Sequence, residues 1–443
     1  MSLLLLKNLL VVSAEAATLT VGAPYPSISA AIAASSDGDT ILIPAGTYSE
    51  SLDLAGRDLS LIGVDGAGVT WLLPPALQDA VVADQGEVVA LAGLSILPDR
   101  GRGVVVQGGQ VSLSEVVISG AGSSTSTGGA CVVEQGQLSL NGVLLAGSVA
   151  AQGAGIFAVD ATVVAVDLEI SGATATTGGG LYADNSELDL SAVLATGLVT
   201  TGAGAFGWLQ GGRLALVDFV LEGATNSASD GAGIWAGATE LLLQSGELRE
   251  VVAGGGTSAG GALYAELSTV QLQDVLMGGS EAFYGGGFAF QEVDATLVDV
   301  VLADNVASVG GGGWVWGGSL SCTGCIGLDN GAASAGSLWL EQTVFSDTDG
   351  VYAGNVSTAE GGALSASDSS LWLDGSRLLD NVAGGDGGGI YQGAGALSLV
   401  DVGAYGNRST GGNGGAVWSE ADVVVQGGRW EDNDSSRGSG GAL

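Results

Sequence analysis

Several residue types are scarce or missing in this chain. It has no histidine, a single lysine (Lys7), three cysteines and six prolines in 443 residues. The missing histidine removes the commonest catalytic acid or base and the commonest ligand for transition metals. Three cysteines are too few for a fold built on disulfide bonds. No segment has the roughly 18 uninterrupted apolar residues that a membrane-spanning helix requires.

Basic residues are also rare, and the formal net charge is −37. Such a surface repels nucleic acid phosphates and anionic membranes, which argues against both as partners. Glycine accounts for 80 residues, but it has no three-residue period and therefore does not indicate collagen. Because 46% of the residues are hydrophobic and only 13% are charged, the chain is expected to fold rather than remain disordered.

A Gly-Gly-(Gly/Ala)-apolar-aromatic motif, as in residues 260–264, recurs from Gly128 to the end of the chain. Twelve steps between its central apolar positions cover 312 residues, a mean of 26 per step. A fixed period of this length is typical of a solenoid, in which each unit packs only on its neighbours. The central position falls at Cys131, Ile156, Leu181, Ala205, Ile234, Leu263, Phe288, Trp314, Leu338, Leu364, Ile390, Val417 and Leu443.

Each repeat is predicted to form three short strands separated by three turns. In one repeat, Leu263 and Ala265 share one parity and face the core, while Glu266 faces water. A second alternating pair, Val270 and Leu272, begins seven residues after Leu263. Equivalent strands of successive coils then pair in parallel. The expected fold class is all-β, a right-handed single-stranded parallel β-helix with about 26 residues per coil.

The third turn of each coil has a pattern of its own. Asparagine recurs in the second half of the chain, at Asn305, Asn330, Asn355, Asn381, Asn407 and Asn433. Glycine takes the matching place earlier, at Gly279, Gly254, Gly223, Gly197, Gly172 and Gly147. Because these two residue types accept positive φ most easily, the position is predicted to be a left-handed turn residue. Stacked Asn side chains could also hydrogen-bond along the helix axis. A binding role for them is the alternative.

The first residues have the composition of a secretion signal. Residues 1–16 are predicted to be a signal peptide that ends in Ala14-Glu15-Ala16, with a buried strand as the alternative. Residues 17–66 are predicted to hold an N-terminal cap and the first coils, and residues 67–443 the repeats. Residues 28–32 have apolar side chains at helical spacing, which predicts a short helix over the open first coil. The last residues stop in the middle of a coil, so we expect either truncation or an open end that pairs with something else.

Four segments near the N-terminus carry a recognisable pattern. They are residues 25–32 (Tyr-Pro-Ser-Ile-Ser-Ala-Ala-Ile), 38–41 (Gly-Asp-Thr-Ile), 44–50 (Pro-Ala-Gly-Thr-Tyr-Ser-Glu) and 59–63 (Leu-Ser-Leu-Ile-Gly). Together they resemble the opening of the pectin-lyase-like superfamily of right-handed parallel β-helices. The resemblance implies the fold but no single activity, because that superfamily includes lyases, hydrolases, adhesins and tailspikes.

The repeat itself resembles a second family. The Gly-Gly-Ala-Leu motif combined with an apolar-x-x-Asn spacing, as in Leu302 to Asn305, is similar to the repeat pair of the polymorphic outer-membrane protein adhesins. The resemblance implies a surface-displayed β-helix that is attached to a membrane barrel.

Aromatic residues follow the central apolar position in many repeats. By parity they should lie in one line on the outer face, where flat rings could stack on sugars or on the apolar surface of a partner. The alternative is that the rings only cover one another and the glycine-rich turns. The predicted row is Phe157, Tyr182, Phe206, Trp235, Tyr264, Tyr391 and Trp418.

The sequence contains only weak indications of a metal site or of redox chemistry. Cys322 and Cys325 form a C-x-x-C pair, but no helix follows and no histidine could complete a zinc site. A local disulfide or two unpaired thiols is therefore expected. No cofactor or metal site is predicted, although acidic turn residues could bind calcium weakly, with a solvated acidic turn as the alternative. These residues are Asp304, Asp329, Asp380 and Asp432.

The expected function follows from these patterns. The resemblance to the superfamily implies that an enzyme would carry clustered acidic residues together with an arginine, lysine or histidine. The arginines of this chain are scattered and form no such cluster in the sequence, so no catalytic residue is predicted. The main hypothesis is a secreted or cell-surface, non-enzymatic stalk, adhesin or passenger domain that contacts surface glycans or proteins of a host or neighbouring cell. The alternative is a polysaccharide-binding or polysaccharide-degrading β-helix, which the opening motif and the aromatic row favour.

Overall fold

The structure is a computed structural model that describes residues 16–443. In this range the chain forms a parallel β-solenoid of about 16 turns with about 26 residues per turn, and the predicted fold class is confirmed. Its strand pairs are parallel and join equivalent residues of successive turns. The predicted signal peptide lies outside the described residues, apart from Ala16.

Three main faces run along the solenoid, and several strands bend from one face to the next. Face 1 consists of Leu52–Asp53, Val81–Ala83, Val104–Gln107, Cys131–Glu134, Ile156–Val159, Ile234–Gly237, Leu263–Glu266, Leu338–Glu341, Leu364–Ser367, Ile390–Gln392 and Val417–Ser419. Face 2 consists of Thr18–Thr20, Asp39–Ile43, Leu59–Gly63, Val88–Ala92, Gln110–Ser114, Val344–Thr348, Ser369–Asp374, Gly395–Val400 and Asp422–Gln426. Face 3 consists of Gly46–Tyr48, Thr70–Leu72, Ser95–Ile96, Val117–Ser119, Val301–Ala303, Ile326–Leu328, Val351–Ala353, Arg377–Leu379, Gly403–Tyr405 and Arg429–Glu431.

Longer strands continue around a corner. Gln137–Ala146, Thr162–Ser171, Glu240–Arg249 and Thr269–Gly278 span faces 2 and 3. Phe288–Val298 and Gly313–Thr323 span faces 1 and 2, and Leu181–Thr196 and Gly207–Glu222 run through all three.

A fourth short strand follows face 3 in many turns, where only a turn was predicted. Successive turns of the solenoid are 25 to 27 residues long at these segments, which brings even two extended residues beside their equivalents, so the segments also pair in parallel. They are Val149–Gln152, Thr174–Thr177, Val199–Thr200, Thr225–Asn226, Val252–Ala253, Val306–Val309, Gly331–Ser334, Val356–Ser357, Val382–Ala383, Arg408–Ser409 and Asp434–Ser435.

The core is the space enclosed by the faces, and the predicted parity is correct. Leu263, Ala265, Val270 and Leu272 are at most 1% exposed. The register corrects two of the predicted apolar positions, because Gly207 pairs with Leu181 and Gly313 pairs with Phe288. The sequence predicts Ala205 and Trp314 at those positions, because several glycines adjoin there and the pattern does not show which of them is left-handed. The left-handed turn glycines are Gly204 and Gly310, three residues before the paired position.

The prediction of a left-handed residue at each Asn is wrong. Positive φ falls one residue earlier, at Asp304, Asp329, Gly354, Asp380, Gly406 and Asp432. Glycines 147, 172, 197, 223 and 279 do have positive φ, but Glu250 rather than Gly254 takes this conformation in its turn. A short polar side chain such as Asp tolerates this region better than most residues.

The Asn residues instead form a ladder inside the solenoid. The side-chain Nδ2 of each Asn donates to Oδ1 of the next, at 3.0 Å for Asn305 to Asn330 and 2.9 Å for Asn381 to Asn407. Each amide also reaches a backbone carbonyl, as Asn381 does with Tyr352 at 2.8 Å. The predicted axial hydrogen bonding is therefore confirmed. Asn305 to Asn407 are at most 1% exposed, so they offer no surface to a ligand.

The helix Ile28–Ala34 covers the first turns, as predicted. Ile28, Ala31 and Ile32 are buried, and the Ser27 side chain caps the N-terminus by accepting the Ala30 N–H at 3.0 Å. Glu50 accepts two further N–H groups at this end, from Ile28 at 2.9 Å and Ser29 at 2.8 Å. Within residues 16–443 no helix is both long and apolar enough to cross a membrane.

Candidate functional site

Face 1 carries a column of aromatic side chains on its outer surface, one per turn. The register aligns Phe157, Tyr182, Trp208, Trp235 and Tyr264 in that order. Successive ring centroids lie 5.0, 4.5, 5.1 and 6.3 Å apart, and the interplanar angles are 11°, 13°, 5° and 17°. These five residues form what we call the aromatic row.

The row corrects one predicted member. Phe206 is fully buried, and Trp208 takes its place between Tyr182 and Trp235. The left-handed glycine Gly204 is the signal that could have found it, because the aromatic residue follows that glycine by four positions, as in Gly260 to Tyr264.

The same column continues beyond the row with interruptions. Tyr391 and Trp418 stack at 4.9 Å, as two predicted members should. Between Tyr264 and Tyr391 the column holds Ala289, Trp314, Trp339 and Ser365. The Tyr284 ring lies beside this stretch, with its centroid 5.4 Å from that of Trp314. The structure therefore divides the predicted row into five stacked rings and a separate pair.

Stacking determines which part of each ring meets solvent. Phe157 and Tyr264 are buried, and Tyr182, Trp208 and Trp235 are half-buried. Because neighbouring rings cover one another's faces, the row exposes ring edges along most of its length. The predicted mutual covering of the rings is therefore present, together with a half-exposed apolar strip.

A second column borders the rings, two residues further along each strand. It carries Asp184, Gln210, Gly237, Glu266 and Gln291. The Tyr264 hydroxyl donates to Glu266 Oε2 at 2.9 Å and lies 3.3 Å from Gln291 Oε1. Gly237 leaves room for Trp235, since a Cβ at Gly237 would lie 2.6 Å from Cη2 of that ring. The row is thus lined by side chains that accept and donate hydrogen bonds.

The electrostatic field at the ring edges is negative. Burial and the Asp184 carboxylate raise the pKa of Tyr182. Burial, the hydrogen bond to Glu266 and the charges of Glu266 and Asp230 raise the pKa of Tyr264. At the separate pair, burial and the carboxylates of Glu420, Glu360 and Asp386 raise the pKa of Tyr391.

Two loops lie beside the row, and each precedes a face 1 strand in sequence. Residues 227–230 and 254–258 line an open cavity of about 470 Å³. Asp230 in the first loop accepts the Ala259 N–H at 2.7 Å. Burial raises the pKa of Asp230, the Ala259 hydrogen bond lowers it and the nearby Glu266 charge raises it further, with a net upward shift. Sequence reasoning did not single out Asp230 as a site residue.

A larger open groove lies at the corner between faces 2 and 3. It encloses about 660 Å³ and is lined by Asp218, Glu247, Asp274 and Asp299 among others. On face 2, Asp189 forms an ion pair with Arg213. Among the described residues no three His, Cys, Asp or Glu side chains are arranged to hold a metal ion. Weak calcium binding at the acidic turns remains a prediction.

The C-x-x-C pair lies inside the solenoid. Cys322 and Cys325 are buried free thiols, so the local disulfide is not formed in this structure. Asp347 occupies an inward position directly below Cys322 and is fully buried. Its Oδ2 accepts the Ser376 hydroxyl at 2.6 Å, while its Oδ1 and the Tyr352 hydroxyl have no hydrogen-bond partner. Burial raises the pKa of Asp347 to about 6.

Comparison with protein families and with curated proteins gives no match. Solved structures do show similarity. The catalytic domain of a GH87 alpha-1,3-glucanase in complex with nigerose matches with a TM-score of 0.33 and 14% identity, over 94% of this chain and 69% of that one. A Family 28 exopolygalacturonase from Yersinia enterocolitica matches with a TM-score of 0.30 and 10% identity, over 96% of this chain and 79% of that one. The mannuronan C-5 epimerase A-module from Azotobacter vinelandii matches with a TM-score of 0.23 and 10% identity, over 93% of each chain.

These matches correct the main functional hypothesis. All three are enzymes named for carbohydrate substrates, which goes against a non-enzymatic stalk, adhesin or passenger domain. The adhesin resemblance of the repeat has no counterpart among them. At these TM-scores and identities, ligand and chemistry have to be inferred from the side chains of this chain.

Proposed function

We propose that this protein binds an extended polysaccharide along the aromatic row of face 1, outside the cell. The observation that carries the proposal is the in-register stack from Phe157 to Tyr264, bordered by a column of carboxylate and amide side chains. Sugars present both C–H surfaces and hydroxyl groups, and they are recognised by apolar ring surface together with hydrogen-bonding side chains.

The linear arrangement favours a polymer over a small ligand. One ring follows another at about the strand spacing of 4.8 Å, so contacts repeat at short, regular intervals along the axis. Weak contacts repeated along one chain add through their effective concentration. A mono- or disaccharide would touch only one or two of these positions and would bind more weakly.

The test is affinity electrophoresis of the intact chain in gels that contain soluble polysaccharides. A double substitution of Trp208 and Trp235 with Ala should weaken retardation at least about tenfold, because truncating interface aromatics commonly costs more than about 1 kcal/mol each. Trp372→Ala is the matched control, since Trp372 is a Trp that is 42% exposed on face 2. Equal retardation of the wild type and the double variant in every polymer would contradict the proposal.

A second candidate function is hydrolysis of the bound polysaccharide by Asp230 and Glu266. Both carboxylates lie near Tyr264, at the end of the aromatic row. The raised pKa of Asp230 keeps this group protonated to higher pH, as a general acid requires. Glycosidases commonly use a pair of carboxyl groups, one as the acid and the other as a base or nucleophile.

Release of reducing ends from the polymers that bind is the measurement for hydrolysis. Asp230→Asn and Glu266→Gln should each lower the rate at least about a hundredfold if the pair is catalytic. Asp422→Asn is the control, because Asp422 is an exposed carboxylate on face 2, away from the row. Polymer binding without any new reducing ends would leave the protein as a binding protein and exclude this second function.

A further inference from the structure

We infer that the polysaccharide bound along the aromatic row lacks carboxylate and sulfate groups, and is either neutral or amine-bearing. This inference rests on the proposed function and specifies the substrate class of that same site. Two observations support it, namely the charges of the side chains on face 1 and the absence of basic residues from the face 1 segments.

The column that borders the rings carries acidic or amide side chains at most positions, and its other members, such as Val159, Gly237 and Trp316, are uncharged. Its charged members are Glu134, Asp184, Glu266 and Glu341, and its amides include Gln210 and Gln291. A loop carboxylate, Asp230, adds its charge at Tyr264. A ligand that follows the rings would therefore meet several carboxylates and no balancing cation.

The carboxylates near this column also act on its tyrosines. Besides burial, carboxylates raise the pKa of Tyr182, Tyr264 and Tyr391, which lie at three separate positions along the axis. The same carboxylates that oppose a phenolate charge would oppose a uronate carboxylate or a sulfate placed at the ring edges. The repulsion thus extends along the column rather than being confined to one residue.

Basic residues are absent from the face 1 segments that carry the row. Among residues 16–443, no Arg or Lys occurs in the part of any strand that belongs to face 1, and Arg213 lies on the face 2 part of the strand that carries Trp208. Five arginines are already paired with carboxylates, of which Arg102 lies nearest to a face 1 strand and pairs with Asp79 at 2.6 Å. A site for an acidic polymer would be expected to present unpaired Arg or Lys, since these recognise carboxylates and sulfates through charge-assisted hydrogen bonds.

The carboxylate and amide side chains that border the rings are suited to bind neutral or amine-bearing polysaccharides. Carboxylate and amide oxygens accept hydrogen bonds from the hydroxyl groups of a neutral sugar without a charge penalty on the ligand. The same carboxylates attract the ammonium groups of an amino-sugar polymer, and this attraction is screened by salt. Salt dependence therefore separates the two classes.

The test compares polymers that share a backbone and differ in charge. The intact chain is run against polygalacturonate and its fully methyl-esterified form, carboxymethyl and hydroxyethyl cellulose, and chitosan and its N-acetylated form. For the polygalacturonate and cellulose pairs, the protein should bind the uncharged polymer at least about tenfold more tightly than the acidic one at low ionic strength. The preference should shrink in about 1 M NaCl, where the screening length is about 3 Å.

The outcomes are distinguishable. Binding to chitosan that weakens with salt supports an amine-bearing ligand, and salt-independent binding to a neutral polymer supports a neutral one. Tighter binding to an acidic member than to its uncharged partner overturns the inference but leaves the proposed function standing. Absence of binding to every polymer overturns both. As a second variant, Asp184→Asn combined with Glu266→Gln should improve binding of the acidic member relative to its uncharged partner.

Discussion

Asn355 donates its side-chain amide to Oδ1 of Asn381 at 2.9 Å, inside the solenoid and away from solvent. The same Oδ1 accepts the backbone N–H of Asn355 at 3.0 Å. Each rung of the ladder therefore satisfies a side chain and a backbone group of the turn before it. This relationship changes what a substitution at Asn381 should do.

Asn381→Gly should destabilise the protein by at least about 2 kcal/mol, because it leaves buried donors of Asn355 without an acceptor. A left-handed residue at this position would tolerate glycine, which makes the substitution a sharp test. The midpoint of urea unfolding is the measurement. An unchanged midpoint would argue against the ladder.

Backbone strain should appear at the preceding residue instead. Asp380 has a φ of 52°, and its equivalents Gly354 and Gly406 are glycines. We expect Asp380→Gly to be neutral or slightly stabilising, and Asp380→Val to cost about 1–3 kcal/mol. The comparison of these two variants in the same urea titration isolates the conformational effect, and equal stability of both would contradict it.

Asp347 should make stability depend on pH. Its folded pKa is raised from 3.8 to about 6, so its favourable contribution is complete below about pH 4 and is lost as the pH rises through about 6. The loss amounts to about 3 kcal/mol, at about 1.4 kcal/mol per pKa unit. Asp347→Asn should flatten this part of the profile in unfolding experiments between pH 4 and 7. Asp422→Asn, at an exposed position on face 2, is the control.

Gly237→Ala should displace the Trp235 ring and weaken polysaccharide binding, since its Cβ would lie 2.6 Å from Cη2 of that ring. The expected loss is at least about threefold in affinity, less than for removal of the ring itself. Gly331→Ala is the matched control, because no heavy atom lies within 4 Å of a Cβ there and its φ is not positive. If both variants bind like the wild type, Trp235 has no part in binding.

The reactivity of the three cysteines tests whether their thiols are buried and unpaired. Burial raises the pKa of Cys131 to about 12, and the contact with Cys325 and burial raise that of Cys322. Low thiolate content and burial should leave all three cysteines unlabelled by a thiol reagent at pH 8 in the native state. Denaturant without reductant should release three reactive thiols. Only one would indicate that Cys322 and Cys325 are joined by a disulfide.

The parts of the fold that depend on periodicity were predictable from the sequence. Inward residues such as Leu263 and Leu272 and the capping helix at Ile28 follow from parity and spacing. Errors occurred where several glycines adjoin, because a strand can slip by two residues without changing parity. Phe206 and Trp208 were confused in this way.

The candidate site was less predictable because it depends on neighbours in space. Asp230 and Glu266 are 36 positions apart in sequence numbering and meet only because two turns stack. The alternation within one strand predicts that the Tyr264 and Glu266 side chains point outward. It does not predict the electrostatic effect of Asp230, which lies in another turn. Asp347 likewise stands where adjacent turns have Cys322 and Leu373, and no periodic signal distinguishes it from an exposed acid.

The stacking of Trp208 on Trp235 gives the protein an intrinsic optical reporter. Their rings are 5.1 Å apart and within 5° of parallel, close enough for their electronic transitions to couple. Coupled indoles produce a paired circular dichroism signal whose sign and size depend on their mutual angle. A ligand that shifts either ring by a few degrees would change this signal, so occupancy of face 1 can be followed without an added label.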